Sequence, residues 1–297
     1  MSDQLDLDNP VERHPTISPP TQDQDFPGSD VGLEPGADIG LSSYRGTGRL
    51  QGRKALVTGA DSGIGAAVAV AFAREGADVA LAYLPDEEED ADRVARVVEE
   101  EGGTLVRIPG DVRDRAYCDD LVAKAVEGLG GLDVLVVNAG KQVACEDITE
   151  LTDEQLDGTL KTNLYAMVWI CRAAVPHLQP GSSIIMSSSI QAYQPSAHLV
   201  DYAMTKAGMN TFAKGLSQQL APKGIRVNAV APGPVWTPLQ VVDGQPKEAL
   251  PEFGQDTPLG RAGQPVELAP AYVFLASAES SFVVGETLNV NGGQPSP

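Results

Sequence analysis

Tyr202 and Lys206 stand four residues apart in DYAMTKAGMNTFAKGLSQQL, a segment that reads as a helix, so the two share one face. A phenol is a poor acid or base at neutral pH, with a reference pKa of about 10. A lysine held beside it favours the phenolate and draws the group toward a useful range. On its own such a pair is equally a surface or core packing pair. Upstream, SSSIQAY closes a strand and carries Ser189, whose hydroxyl could hydrogen-bond a substrate oxygen. Serine-rich strand ends are by themselves ordinary loop starts.

A second constellation suits an anionic cofactor. Thr58-Gly59-Ala60-Asp61-Ser62-Gly63-Ile64-Gly65 lies between an apolar run, KALVT, and an alanine-rich helix, AAVAVAFAREG. Gly59 permits a tight turn, Gly63 lets backbone approach a pyrophosphate, and Gly65 allows close helix–strand packing. The helix N-terminus then offers free N–H groups and positive partial charge to phosphates. Glycine spacing alone is a weak signal; the strand–turn–helix context strengthens it. Asp111 after the third strand, and Asn138-Ala139-Gly140 after the fourth, come to the same carboxyl edge by position, although each is individually a plain turn.

The elements that must hold these residues follow from the pattern. DVALAY, TLVRIPGDV, LDVLVVNAG, SIIMSSS and IRVNAVAPG read as buried strands after KALVT, and Thr287–Val290 as a last one. Between them lie helices at about 86–101, 115–129, 153–177, 202–221 and 266–277. Apolar strands alternating with helices predict an α/β fold: a Rossmann-type, doubly wound, seven-stranded parallel sheet with helices on both faces. It forms a single domain over 45–297. Residues 234–261 are Pro/Gly-rich and irregular, as an active-site lid would be. Residues 1–44 lack apolar periodicity and are expected to form an extended or disordered arm. Such an arm could also lie on a neighbouring subunit, held by Tyr44 and Leu50.

The 297 residues suffice for one full core without staples. Cys118, Cys145 and Cys171 are scattered, with no CxxC and no clustered histidines, so neither a disulfide framework nor a metal site is readable. The opening MSDQLDLDNPVERHP lacks a basic region followed by an apolar run, and no stretch is apolar enough for a membrane span. These features predict a soluble, cytoplasmic protein. A net charge of -20 repels phosphate backbones and argues against nucleic acid as a partner.

Taken together, the TGxxxGIG turn, NAG after the fourth strand, Ser189 ahead of Tyr202-x-x-x-Lys206, and PG after the sixth strand resemble the short-chain dehydrogenase/reductase family over about residues 50–294. SYRGTGRLQGRKALVTGADSGIG and YLPDEEEDA further resemble a bacterial subgroup of stress-associated dehydrogenases with an N-terminal extension. The resemblance implies an NAD(P)-dependent oxidoreductase moving a hydride between a nicotinamide cofactor and an aldehyde, ketone, sugar or alcohol. It implies Tyr202 as general acid/base, Lys206 lowering its pKa and bonding the nicotinamide ribose, and Ser189 orienting the carbonyl. Asn163 would hold a water relaying protons to Lys206. Gly59, Ser62, Ile64 and Gly65 would line the pyrophosphate, with Asp61 and Gly63 in the same turn. Tyr83 stands where the adenosine ribose is met, Asp111 and Val112 at the adenine, and Asn138 at the ribose, with Ala139 and Gly140 beside it. Pro232 and Gly233 lead into Val235 and Thr237 at the nicotinamide carboxamide. The family also implies a homotetramer built through its fourth and fifth helices, here carrying Leu156, Leu160, Leu164, Met167 and Val168; the other reading assigns these to the subunit's own core.

Two alternatives remain. A sugar-nucleotide epimerase or dehydratase shares the Tyr-x-x-x-Lys pair, but little chain follows Lys206 for its larger substrate domain. A dinucleotide-binding redox sensor typically loses the tyrosine or lysine, and both are present. Between cofactors, NAD(H) is favoured over NADP(H). Tyr83-Leu84-Pro85 at the second strand's end is neither acidic nor basic, Asp86 to Asp90 are all acidic, and Asp61 occupies the phosphate turn. No Lys or Arg occurs from Gly76 through Ala91, so a 2′-phosphate would need Arg74, Arg113 or Lys54 to reach in.

Overall fold

A computed structural model describes residues 3–296. Seven parallel strands form one sheet in the order β3-β2-β1-β4-β5-β6-β7. They are β1 (Lys54–Thr58), β2 (Asp78–Tyr83), β3 (Leu105–Pro109), β4 (Val134–Val137), β5 (Ser183–Ser187), β6 (Arg226–Pro232) and β7 (Thr287–Val290). Alternate side chains serve opposite faces. Ala55, Val57, Val134, Val136 and Ile185 enter a core with α1 (Gly63–Arg74), α2 (Glu88–Glu100) and α7 (Pro265–Ala276). Leu56, Leu135, Val137, Ile184 and Met186 enter the opposite core with α3 (Arg115–Leu129), α5 (Ala166–Ala174) and α6 (Val200–Leu220). The chain runs outward from β1 to β3 and returns to β4 beside β1, so the strand order reverses between them. That switch point opens a crevice at the carboxyl edge. The register pairs Thr58 with Ala82, Val57 with Val136, Val137 with Met186 and Ser187 with Val230, which brings the strand ends to one line.

The single helix expected over 153–177 is broken. It divides into α4 (Asp153–Leu160), one wide π-turn (Lys161–Tyr165) and α5. The wide turn is where the Asn163 amide leaves the helix to bond the Lys141 backbone and Thr205. Such π-turns are frequent at functional sites. Proline 85 opens a short 3₁₀ turn, Pro85–Glu87, so α2 starts later than the acidic run suggests. The irregular 234–261 segment carries its own turns, Gln240–Gly244 and Lys247–Glu252.

The arm is extended and packs on the body. Residues 3–44 contain no helix or strand, yet they lie along their own subunit. Ile17 and Leu33 join Trp236, Val241, Val242, Leu250, Phe253 and Ala262 in a third apolar cluster beneath the 234–261 segment. Trp236 Nε1 donates to Pro35 O at 2.7 Å, and Arg261 Nη2 to Pro10 O at 2.7 Å. Tyr44 and Leu50 are buried in the same subunit; the Tyr44 hydroxyl donates to fully buried Glu75 at 2.7 Å. The arm's apolar residues show no period because an extended chain in a groove contacts its partner at irregular intervals. Among the described residues, no helix is long and apolar enough to cross a membrane.

Candidate active site

β1 delivers Thr58 to the switch point, where its Oγ1 accepts from Asn138 N at 2.9 Å and Ala139 N at 3.1 Å. The chain then turns through Gly59 at φ +61° into α1. Gly65 packs so tightly that a Cβ there would lie 1.7 Å from Gly59 O. Gly63, at φ +50°, faces Thr237, whose Cγ2 would be 3.0 Å from an added Cβ. The phosphate turn thus stands opposite the segment following β6, and the cradle exists only because both positions lack side chains.

Next to this turn, Asp61 is 2% exposed and Glu87 faces it. Burial raises the pKa of Asp61; burial and then the Asp61 charge raise Glu87. Tyr83 is buried with its hydroxyl accepting from Arg107 Nε at 3.0 Å. Arg113 forks onto Asp111, with Nε to Oδ2 at 2.8 Å and Nη2 to Oδ2 at 2.6 Å. Burial alone would raise Asp111, but the Arg113 contacts outweigh it and hold the carboxyl below its ordinary range.

At the other end, Tyr202 and Lys206 lie on the buried face of α6, 6% and 3% exposed. Burial pushes the Tyr202 phenol up to about 12, against the opposing hydrogen bond with Ser189. Lys206 Nζ donates to Ser187 O at 2.7 Å and lies 5.3 Å from the Tyr202 ring centroid; burial brings it down to about 8. The ammonium is aimed at a strand carbonyl. Asn163 and Lys206 meet beside Gly140, where a Cβ would lie 3.7 Å from both Asn163 Oδ1 and Lys206 Nζ.

One cavity of about 710 Å³ joins the two ends. Its walls include Gly59, Asp61, Ser62, Gly63, Ile64, Tyr83, Asp111, Val112, Asn138, Ala139 and Gly140. They continue through Ser189, Tyr202 and Lys206 to Pro232, Gly233, Val235 and Thr237. Two expected residues stand back from it. Gly65 lies one turn inside α1 against Gly59 O, so it serves packing rather than the pyrophosphate. Asn163 sits behind Gly140, its amide engaged by Lys141 N at 2.8 Å, Lys141 O at 2.9 Å and Thr205 Oγ1 at 3.0 Å. Asn138 does line the cavity, but its amide donates to Thr58 O and Gly59 O and accepts from Ser187 Oγ, so it braces the crevice and has no free donor for a ribose.

The sequence reading missed other wall residues. Ser187 is one, bonded from behind the wall by Tyr272 of α7 at 2.7 Å. His198, Gln142, Gln191 and Asp243 line the Tyr202 end; the His198 Nε2 is buried without a hydrogen-bond partner. Phe26 and Pro27 of the arm line the cavity too. Nothing in the local pattern marks these; only the folded chain brings them in. The donor set fits a nicotinamide dinucleotide: a glycine cradle at a helix N-terminus, a carboxylate pair beside it, and a tyrosine–lysine–serine group at the far end.

A family model described as enoyl-(acyl carrier protein) reductase matches residues 59–294. The chain is 53% identical over 288 residues to the uncharacterized oxidoreductase YghA of Escherichia coli (strain K12), covering 97% of this chain and 98% of that protein. It is 40% identical over 280 residues to a glucose and ribitol dehydrogenase of Daucus carota, covering 93% and 96%. A solved short-chain dehydrogenase of Burkholderia cenocepacia J2315 in complex with NADP is 34% identical with a TM-score of 0.77, covering 82% of this chain and 98% of that one. With the motifs, the sheet and these matches in agreement, the chain belongs to the short-chain dehydrogenase/reductase family, the nicotinamide-dependent oxidoreductases that act on alcohols and carbonyls.

Proposed function

We propose that this oxidoreductase acts on small hydroxylated carbonyls and alcohols, such as sugars and polyols, in the cytoplasm, with Tyr202 as its general acid/base. The observation that carries the reading is that Tyr202, Ser189 and Lys206 share one cavity with the phosphate turn. When bound there, the nicotinamide supplies or accepts the hydride. Tyr202 holds its proton at neutral pH, ready to deliver it from Oη to a carbonyl oxygen during reduction. The Ser189 hydroxyl, hydrogen-bonded to the phenol, orients the same oxygen. Lys206, beside Gly140 and Asn163, supports the nicotinamide ribose and the route by which the Tyr202 proton is replaced. Asn163 acts here through its hold on Lys141 and Thr205. The phosphate turn from Gly59 to Ile64 holds the diphosphate, Asp111 and Val112 flank the adenine, and Val235 and Thr237 hold the carboxamide.

Polar substrate is favoured by His198, Gln142, Gln191 and Asp243 at the Tyr202 end, and glucose and ribitol appear in the name of the Daucus carota relative. For the cofactor, NAD(H) is preferred over NADP(H). Asp61 and Glu87 both line the cavity beside the phosphate turn, so a 2′-phosphate there meets negative charge. Of the three cations considered from sequence, Arg74 bonds arm carbonyls and Lys54 bonds Gly130 O. Arg113 does line the cavity, but it forks onto Asp111. The Burkholderia relative's NADP complex shows what that protein binds. A panel of aldehydes, ketones, sugars and polyols, assayed with NADH and NADPH and with the oxidised forms for the alcohols, tests both parts. We expect kcat/KM about tenfold higher with NADH; a clear NADPH advantage overturns the cofactor assignment, and turnover confined to apolar ketones overturns the substrate class.

A further inference from the structure

The cofactor crevice has a cover that belongs to neither the sheet nor the 234–261 segment. Arm residues 24–29 form a closed loop: Gln24 Oε1 accepts from Ser29 N at 2.6 Å, Gln24 Nε2 donates to Ser29 O at 3.2 Å, and Gly28 N donates to Asp25 O at 2.9 Å. Its two ends are tied to opposite walls. On one side Gln24 N donates to Val241 O, Asp23 pairs with Lys247, and Gly28 sits so close that a Cβ there would lie 2.5 Å from Val242 Cγ2. On the other, Asp30 Oδ2 accepts from Gly63 N of the phosphate turn at 3.0 Å, and Asp30 N donates to Asp90 Oδ2 at 2.8 Å. The first wall belongs to the segment that carries Val235 and Thr237; the second is the phosphate turn itself. A loop tied to both must cross the crevice between them.

Phe26 stands at the crown of this loop, 53% exposed although the chain on either side is anchored. Its ring lines the cavity with Pro27. Lys141 Nζ lies 4.9 Å from the ring centroid and the Arg113 guanidinium 5.9 Å. Among the described residues, the Lys and Arg side chains lining the cavity are Arg113, Lys141 and Lys206, and two of them meet on this ring. In a chain of net charge -20, that is where an anionic dinucleotide finds cations.

We propose that loop 24–29 is part of the cofactor site, with Phe26 a cofactor-contacting residue. The dinucleotide lies beneath the loop, the ring shields its diphosphate from solvent, and Lys141, held over the ring face, is placed to meet the phosphate charge. Binding and release of the cofactor then require the loop to lift from one of its walls. The inference rests on the dinucleotide-dependent reading of the cavity.

Removing the whole arm would uncover the third apolar cluster and could unfold the segment beneath it, so the decisive variant is Phe26→Ala in the full chain. Binding of NADH and NADPH is read by fluorescence titration and release by stopped-flow displacement, with no substrate present. In Phe26→Ala, with the thermal midpoint unchanged, we expect the dissociation constant and the release rate each to rise about tenfold, and Phe26→Tyr to restore both. Values for Phe26→Ala within about twofold of the parent overturn the inference while leaving the dinucleotide reading intact. A parent chain that binds neither NADH nor NADPH overturns both.

Discussion

Tyr202 is a protonated phenol, pushed up to about 12 by burial, beside a lysine that burial brings to about 8. The two groups therefore favour carbonyl reduction at neutral pH, where the proton to be delivered is already on Oη. Alcohol oxidation needs the phenolate, so its kcat/KM should climb with rising pH while that of reduction falls once the phenol ionises. Tyr202→Phe should lower turnover by about 10²–10⁴-fold with cofactor affinity retained. Lys206→Met should weaken cofactor affinity and turnover together and move the ascending limb of oxidation to higher pH. Steady-state kinetics over pH with parallel fluorescence titrations check this; Tyr202→Phe turnover within a fewfold of the parent sinks the assignment. The residues behind this chemistry were readable in sequence because their spacing on one helix and their order along the chain carry the signal. What was not readable is direction. Lys206 reaches Ser187 O and Asn138 turns its amide into Thr58 and Gly59 because strands meet from distant parts of the chain. Spacing alone does not reveal such contacts.

Elements follow the same division. All seven strands and the alternation of helices were visible as apolar β-branched runs between amphipathic segments, since burial on both sheet faces leaves that mark. The π-turn at Lys161–Tyr165 was not, because it accompanies Asn163 bonds to Lys141 and Thr205, which lie elsewhere in the chain. The arm's place was not readable for a different reason: its partners are as far away as the 251 residues separating Pro10 from Arg261, and extended chain in a groove has no period. One of its anchors has a pH signature. Burial, with Asp90 adding to it, pushes Asp30 up from 3.8 to about 7 against the Gly63 hydrogen bond. The folded protein thus holds a proton that the unfolded chain releases at lower pH. Stability linked to Asp30 is full below pH about 3.8 and is lost as pH rises through about 7. At about 1.4 kcal/mol per pH unit the gap sets an upper bound of roughly 4 kcal/mol; loop relaxation should leave on the order of 2 kcal/mol. Asp30→Asn keeps the acceptor for Gly63 N and removes the titration. Thermal unfolding of the cofactor-free chain at pH 5 and pH 8 should then show a smaller loss in the variant than in the parent. An equal loss would mean that Asp30 does not anchor the arm.

At the scale of the whole molecule, the surface that remains apolar after folding bears on assembly. Met167, placed by sequence among candidate interface residues, is 1% exposed and belongs to the subunit's own core, with Ile170, Cys171 and Ala174 of α5. Val168 and Tyr165 turn outward instead, 38% and 48% exposed, and Met204 and Val200 on α6 are 52% and 48% exposed. The segments that carry them are neighbours: Thr159 bonds Asp201 and Asn163 bonds Thr205. Leu164 also packs against Gly208 between them. A chain of net charge -20 that approaches its own copies gains nothing from charged surfaces, so contact through this apolar strip is the arrangement that limits repulsion. We therefore expect a homotetramer in which this strip, formed by the family's fourth and fifth helices, is one interface. Light scattering after size-exclusion chromatography should give about four times the 31.1 kDa chain mass. Val168→Asp and Met204→Asp should each bury a charge in the contact and yield smaller species, with far-ultraviolet circular dichroism unchanged. A monomeric parent overturns the tetramer. A parent tetramer whose mass survives both substitutions moves the interface elsewhere, and exposed Phe282 and Val284, which precede β7, would be the next residues to change.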